Sequence, residues 1–347
     1  MVRAVLAGAG QAFPEALEQS VVWDGFFADH FKGSGLAKRT FASAGIRQRH
    51  GVINPLIEDV SWWSTEKRML RYAEEALPLG KDAVAAALGA AGVEPADVGL
   101  FCVVSCTGYA TPGLDIRLAR DLAMDGDVQR LFVGHMGCYA ALPGLGAASD
   151  FVVARGRPAV VLCLELTTLH VQPPTGEVQQ IVAHALFGDA SAAVVLKPDD
   201  AAGLEVVEIA ARTDPSTADH MTWDVTDLGF RMGLSPRVPD VLAEHVRPML
   251  DTLLGRHGLT PRDVDGWAVH PGGPRILDVV GDRLGLADDA LDASRHVLAE
   301  YGNCSSATVL LVTDELTRRG IPDSGGYLVA LAFGPGLTLY AALLRRR

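Results

Sequence analysis

The sequence predicts an α/β fold built from two similar halves, and three observations carry that prediction. Short β-branched and apolar runs alternate with longer alanine-rich segments, the pattern of strands interleaved with helices. The 347 residues are 49% apolar and 21% charged, enough for a large buried core. The same alternation also recurs after a turn-rich connection at residues 197–203, which divides the chain into halves 1–203 and 204–347.

The opening run Val2-Arg-Ala-Val-Leu-Ala-Gly-Ala-Gly10 reads as a first strand. Gln11, Pro14 and Glu15 interrupt it before an export-signal core could form. Strands are then expected at 99–105, 129–134, 159–164 and 192–196, with helices at 81–92, 113–123 and 140–155. In the second half, strands are expected at 204–211, 265–270 and 327–333, with helices at 238–257, 275–284 and 306–319. Alternation of this kind favours a largely parallel sheet covered on both faces.

Composition excludes several functions. A formal charge of −12 argues against nucleic-acid binding along the whole surface. Five cysteines with no Cys-x-x-Cys pair fit a reduced, cytoplasmic protein with no metal site. Two uncharged stretches, 131–149 and 327–344, are interrupted by Pro143 with Gly144 and by Gly334-Pro-Gly336. Both read as core elements rather than membrane spans. Gly8-Ala-Gly10 follows a strand like a dinucleotide fingerprint, but Phe13 stands where the third glycine belongs. Phosphate-loop, zincin and hydrolase-elbow motifs are absent from the sequence.

Three residues remain that together can perform thiol chemistry. Cys138 follows an expected strand and opens an alanine-rich helix, where backbone N–H groups and the helix dipole favour a thiolate. His270 ends a strand before Pro271-Gly-Gly-Pro274, at the carboxyl edge where α/β sites collect. Asn303 lies in the small-residue turn Tyr301-Gly-Asn-Cys-Ser-Ser-Ala307, as an amide donor or as an N-cap of the next helix. His135 reads as packing, and Cys102 and Cys106 as buried strand cysteines. The spacing of Cys138, His270 and Asn303 is compatible with a papain-like hydrolase, whose His and Asn follow the cysteine by roughly 130–150 residues. The mid-chain cysteine and its surroundings fit thiol-based acyl condensation better.

Five segments in fixed order extend the pattern: Gly137-Cys-Tyr-Ala140, Ala185-Leu-Phe-Gly-Asp189, His270-Pro-Gly-Gly-Pro-Arg-Ile-Leu277, Tyr301-Gly-Asn-Cys-Ser-Ser-Ala307 and Phe333-Gly-Pro-Gly-Leu-Thr338. With these, the chain resembles the type III polyketide synthases, the chalcone and stilbene synthase group of the thiolase superfamily, from about residue 35 to 344. An initiating ketoacyl carrier-protein synthase III would usually follow its histidine with Gln-Ala-Asn instead of Pro-Gly-Gly. The resemblance implies a five-layered αβαβα thiolase fold, a homodimer, and coenzyme A thioesters as substrates with no cofactor and no nucleic-acid or membrane partner.

The resemblance also implies residue roles. Cys138 would carry the acyl starter as a thiolate paired with His270, and His270 with Asn303 would stabilise the enolate formed from malonyl-CoA. The enolate would extend the chain, which then cyclises to a pyrone or phenolic product. Phe187 matches a gatekeeping phenylalanine. Cys106, Thr167, His170, Trp223, Met232, Ser305, Gly334 and Pro335 fall at cavity positions. Of these, Met232 stands where plant enzymes carry a second gatekeeping Phe, and Trp223 where they carry a small Gly. Lys38, Arg39, Arg47 and Arg49 would receive the nucleotide phosphates, although Ser43 replaces the lysine most used in plants. Gly272 and Gly273 would let the backbone approach the pantetheine arm.

Overall fold

In the computed structural model, which describes residues 2–198 and 202–347, nine strands form one sheet. Their order is Gly266–Val269, Tyr327–Gly334, Thr338–Arg346, Leu204–Thr213, Ala4–Ala12, Ala190–Pro198, Ala159–Glu165, Leu100–Val104 and Gln129–Val133. The strand Ala4–Ala12 meets Leu204–Thr213 only at Val5 with Glu205 and Leu6 with Leu204, so the sheet is two sheets joined at a narrow seam. Of the expected connection at 197–203, Asp199, Asp200 and Ala201 lie outside the described residues.

The strands Leu100–Val104, Ala159–Glu165 and Tyr327–Gly334 are buried on both faces, which explains their unbroken apolar runs. In the first sheet, Val160, Leu162 and Leu164 face the outer helices Thr65–Ala91 and Leu114–Asp121. Val161 and Cys163, one residue out of phase, face the central helices Ala141–Arg155 and Ala307–Arg318. In the second sheet, Leu328, Ala330 and Ala332 face those same central helices. Val329, Leu331 and Phe333 face the outer helices Val238–Gly255 and Pro274–Leu284. The result is five layers, αβαβα, with two helices packed in the middle. One of them, with its preceding turn, is long and apolar enough to cross a membrane, but it is a core helix packed between the sheets.

Two details depart from the sequence reading. Pairing is parallel only between Leu100–Val104 and its two neighbours and between Gly266–Val269 and Tyr327–Gly334; elsewhere it is antiparallel. Alternating strands and helices do not fix strand direction, and the three-residue link Pro335-Gly-Leu337 permits only a hairpin. The helix expected at 81–92 starts at Thr65 and runs through Pro78. Packing outweighs the proline: a Cβ on Gly80 would stand 2.9 Å from Leu118 and 3.3 Å from Leu162. The same helix explains Gly8 and Gly10, whose added Cβ atoms would lie 2.5 Å from the Ala87 carbonyl and 2.3 Å from the Ala83 carbonyl. These glycines admit a helix backbone onto the strand, and Phe13 beyond them stacks on Tyr301 at 4.5 Å.

Candidate active site

Cys138, His270 and Asn303 come from three separate elements and line one cavity of about 760 Å³. Cys138 sits in the single turn Gly137–Tyr139 that leads into the central helix Ala141–Arg155, as its sequence position predicts. His270 immediately follows the strand Gly266–Val269 and is tied by its N–H to the Leu331 carbonyl at 2.8 Å. Asn303 lies between the helices Asp292–Tyr301 and Ala307–Arg318. It is not an N-cap of the second. Its Oδ1 accepts the Ser305 N–H at 2.9 Å, which leaves its amide hydrogens as the polar group to offer the cavity. Ser305 itself holds a left-handed backbone with φ of 48°.

A short β-bridge joins Asn303 to Phe187. Asn303 N–H donates to the Leu186 carbonyl at 2.8 Å, and Gly188 N–H donates to the Asn303 carbonyl at 3.1 Å. Phe187, just beyond the helix Val178–Leu186, is thereby fixed beside Asn303 on the cavity wall.

Both ring nitrogens of His270 are buried and form no hydrogen bond to another group of the protein, on the wall of the cavity that Cys138 also lines. Burial pushes the His270 imidazole down to about 3 and the Cys138 thiol up to about 12. The Ser305 hydroxyl and the Cys138 N–H pull the thiol partly back, while Glu165 pushes it further up. Each charge alone is opposed here. Moving the proton from sulfur to ring creates both charges together at a helix N-terminus, the one arrangement in which they offset each other's desolvation.

Glu165, at the end of the strand Ala159–Glu165, escaped the sequence reading. A carboxylate closing an otherwise apolar strand was its signal. It is fully buried and accepts from Cys106 N–H at 3.0 Å, the Thr107 hydroxyl at 2.8 Å and the Ser306 hydroxyl. The Cys106 thiol lies 3.6 Å from both its oxygens and 3.5 Å from the Ser305 hydroxyl. Burial raises the Glu165 carboxyl to about 7 against these donors.

The expected cavity residues divide into two groups. Cys106, Thr167, Phe187, Trp223, Met232, Ser305 and Pro335 surround a compartment of only about 20 Å³ on the inner side of Cys138. Gly334 closes beside it, since a Cβ there would stand 3.4 Å from the Cys138 nitrogen. Trp223 and Met232 face each other across the hairpin Met221–Thr226/Gly229–Leu234, an element the sequence reading did not assign. The Trp223 indole N–H donates to the Cys106 carbonyl at 2.9 Å. The Thr167 hydroxyl instead serves Gly188 and Asp189.

His170 is a correction. It does not line the cavity of Cys138 but a separate void of about 50 Å³ behind Trp223 and Phe187. Its Nε2–H donates to the Thr107 carbonyl at 2.7 Å, its Nδ1 accepts from Phe230 N–H at 3.0 Å, and burial lowers it to about 3. It is a neutral strut stacked on Phe230 at 4.5 Å.

Among the basic residues expected at the nucleotide, Lys38 and Arg39 are exposed on the helix Gly35–Ser43, whose Thr40 and Ser43 line the cavity. Arg47 is exposed but forms an ion pair with Glu300. Arg49 is the second correction: it is 5% exposed, with its guanidinium held by the His184 and Phe187 carbonyls instead of facing solvent. Charge patterning misled the sequence reading, because alternate residues of the strand Gln48–Gly51 point in opposite directions. Gly272 and Gly273 do line the cavity. So does Arg275, a cation that the sequence reading passed over. No cluster of three or more metal-ligating side chains occurs among the described residues.

With this geometry in place, comparison is decisive. Residues 2–200 match the chalcone and stilbene synthases, N-terminal domain, and residues 205–346 match the chalcone and stilbene synthases, C-terminal domain. The chain belongs to the chalcone and stilbene synthase family. Members of this family, the type III polyketide synthases, are acyltransferases of thiolase fold. The 1,3,6,8-tetrahydroxynaphthalene synthase of Streptomyces peucetius subsp. caesius is 39% identical over 318 residues, covering 89% of this chain and 83% of the relative. The alpha-pyrone synthesis polyketide synthase-like Pks18 of Mycobacterium tuberculosis (strain ATCC 25618 / H37Rv) is 30% identical over 88% of this chain and 81% of its own. The crystal structure of 1,3,6,8-tetrahydroxynaphthalene synthase from Streptomyces coelicolor A3(2) superimposes with a TM-score of 0.93 at 30% identity, covering 99% of both chains.

Proposed function

We propose that this chain condenses malonyl-CoA iteratively onto an acyl-CoA starter held on Cys138 and cyclises the product to a pyrone or phenolic compound. The observation that carries this reading is the meeting of Cys138, His270 and Asn303 on one cavity, with both His270 nitrogens buried and unpartnered. His270 takes the Cys138 proton as sulfur attacks the starter thioester, and coenzyme A leaves as its thiol. The Asn303 amide and the His270 N–H then donate to the malonyl thioester oxygen. As the C–C bond to the carboxylate breaks, CO₂ leaves and the electron pair forms an enolate that these donors stabilise. The enolate carbon attacks the acyl-Cys138 carbonyl, the C–S bond breaks, and the lengthened thioester returns to Cys138 for the next round. Phe187 shields the thioester from water.

Arg275 on the cavity wall, with Lys38 and Arg39 exposed on the helix whose Thr40 and Ser43 line the cavity, supplies positive charge for the phosphate-bearing end of coenzyme A, while Gly272 and Gly273 border the pantetheine path. The inner compartment of about 20 Å³ favours a small starter, because Trp223 occupies the room a longer chain needs. The reading includes two halves, 1–203 and 204–347, and a cytoplasmic location, supported by five free, buried cysteines. It takes no nucleic acid or membrane as a partner. It also includes a homodimer, supported by the outer edge of the strand Gln129–Val133 at the end of the sheet, with exposed Leu131, Phe132 and nearby Met136.

The test is mass-spectrometric product analysis with malonyl-CoA and acyl-CoAs of graded length, beside Cys138→Ala. A Cys138-dependent pyrone or phenolic product supports the reading. Absence of both condensation and malonyl-CoA decarboxylation overturns it.

A further inference from the structure

Arg49 is a buried cation that the mechanism above does not use. Its guanidinium donates from one nitrogen to the His184 carbonyl and, at 2.9 Å, to the Phe187 carbonyl. These are the carbonyls at the end of the helix Val178–Leu186, where the backbone leaves the helix and turns toward Asn303. The cation lies 5.5 Å from the centre of the Phe27 ring and 5.9 Å from that of Phe41. Burial lowers it only to about 10, so it is charged at neutral pH, and Asp189 helps to keep it so.

The stem of Arg49 is as constrained as its head. A Cβ added to Gly188 would stand 3.2 Å from the Arg49 Cβ, and one added to Gly302 would stand 3.4 Å from it. Gly188 follows Phe187 and Gly302 precedes Asn303. One side chain therefore lies against both strands of the two-residue bridge that carries Phe187 on one side and Asn303 on the other. An arginine held by carbonyls and flanked by aromatic rings has little rotational freedom, so the backbone atoms it contacts are fixed with it.

We propose that Arg49 is a positioning residue, which sets the separation and orientation of Phe187 and Asn303 and thereby controls malonyl decarboxylation while leaving acyl transfer to Cys138 untouched. This rests on the condensing activity proposed above. It assigns separate supports to the two half-reactions: Cys138 depends on the central helix, whereas Asn303, one of the two enolate donors, and its neighbour Phe187 depend on a bridge fastened by Arg49. Misplacement of a donor by about 1 Å can cost about 100-fold in rate, so loss of the guanidinium fork has an effect large enough to measure.

The experiment compares wild type, Arg49→Lys and Arg49→Gln in three measurements: CO₂ release from malonyl-CoA, acylation of Cys138 by acetyl-CoA followed by intact-protein mass spectrometry, and thermal unfolding. In both variants, the decarboxylation kcat is expected to fall at least 10-fold with KM within about threefold, while the acylation rate stays within about twofold of wild type. Lysine keeps the charge without the fork, so it is expected to restore only part of the lost rate. Phe187→Ala added to Arg49→Gln is expected to cost less than it does in the wild-type background, because its position is already lost. Equal losses in acylation and decarboxylation, or additive effects of Arg49→Gln and Phe187→Ala, overturn the proposal. So does failure of both Arg49 variants to fold, since Arg49 would then have no role separable from the core. Wild-type protein that decarboxylates nothing would instead overturn the condensing reading itself.

Discussion

Trp223→Ala tests how the interior limits the starter. The compartment beside Cys138 measures about 20 Å³ and the void behind Trp223 and Phe187 about 50 Å³. A site needs roughly 10–15 Å³ in such a measure to hold one water-sized group, so the first compartment accepts a methyl and little more. Both spaces share Trp223, Phe187, Met232 and Thr167 as walls. Removing the indole joins them and creates room for several methylenes. Since each methylene accepted or refused is worth about 1–3 kcal/mol, or about 10–200-fold, kcat/KM for hexanoyl-CoA relative to acetyl-CoA should rise at least 10-fold. The indole N–H also leaves the Cys106 carbonyl without its donor. Together with the lost packing this should cost about 3 kcal/mol in urea unfolding. Competition between the two starters, read by product mass, gives the ratio directly. A folded variant whose ratio stays within twofold of wild type refutes the argument that Trp223 sets the size limit.

Glu165→Gln keeps the shape of a buried acceptor and removes its charge, so iodoacetamide should alkylate Cys138 with a midpoint at lower pH than in wild type, because Glu165 opposes the thiolate. The same substitution bears on stability. Because the folded carboxyl titrates at about 7, above its ordinary 4.5, the folded state binds more protons than the unfolded one between those values, and stability falls as pH rises through that window. That slope, up to about 3 kcal/mol in all, should be missing from urea titrations of Glu165→Gln. Arg275→Ala should raise KM for malonyl-CoA several-fold with little change in kcat, and the difference from wild type should shrink at high salt in steady-state assays. Gly10→Ala forces a methyl to within 2.3 Å of the Ala83 carbonyl and should cost about 1–3 kcal/mol or more in denaturant unfolding.

That Cys138, His270 and Asn303 share one cavity was legible because each sits where local sequence marks a special backbone: a strand's end, a glycine–proline turn, a small-residue turn. The layering was legible for a related reason, since short apolar runs without alternation fit strands covered on both faces. Arg49 and His170 were misplaced because one-dimensional patterns carry no direction. Arg49 shares a strand with the half-exposed Gln48 and His50 but points the opposite way. His170 aligns with a cavity position, yet its ring turns to Thr107 and Phe230. Glu165 was missed because its partners, Cys106, Thr107 and Ser306, come from distant stretches of chain and only the fold brings them together. The helix start at Thr65 was hidden by Pro78, whose local cost is outweighed by contacts with strands far along the sequence.

The strand Ala4–Ala12 occupies the middle of the sheet, yet its partners are Ala190–Pro198 and Leu204–Thr213. During synthesis more than half of the 347 residues must be added after this strand before either neighbour exists. At about 5–20 residues per second, that interval is roughly 10–40 s. Until then its backbone donors and acceptors are unpaired along both edges, and only the face carrying Gly8 and Gly10 can be covered, by the helix Thr65–Ala91. Pairings so distant in sequence make for slow assembly and for a nascent chain prone to wrong strand partners. The close seat of that helix on Gly8 and Gly10 is thus a contact of this strand that needs no residue beyond Ala91 and so does not depend on the rest of its sheet.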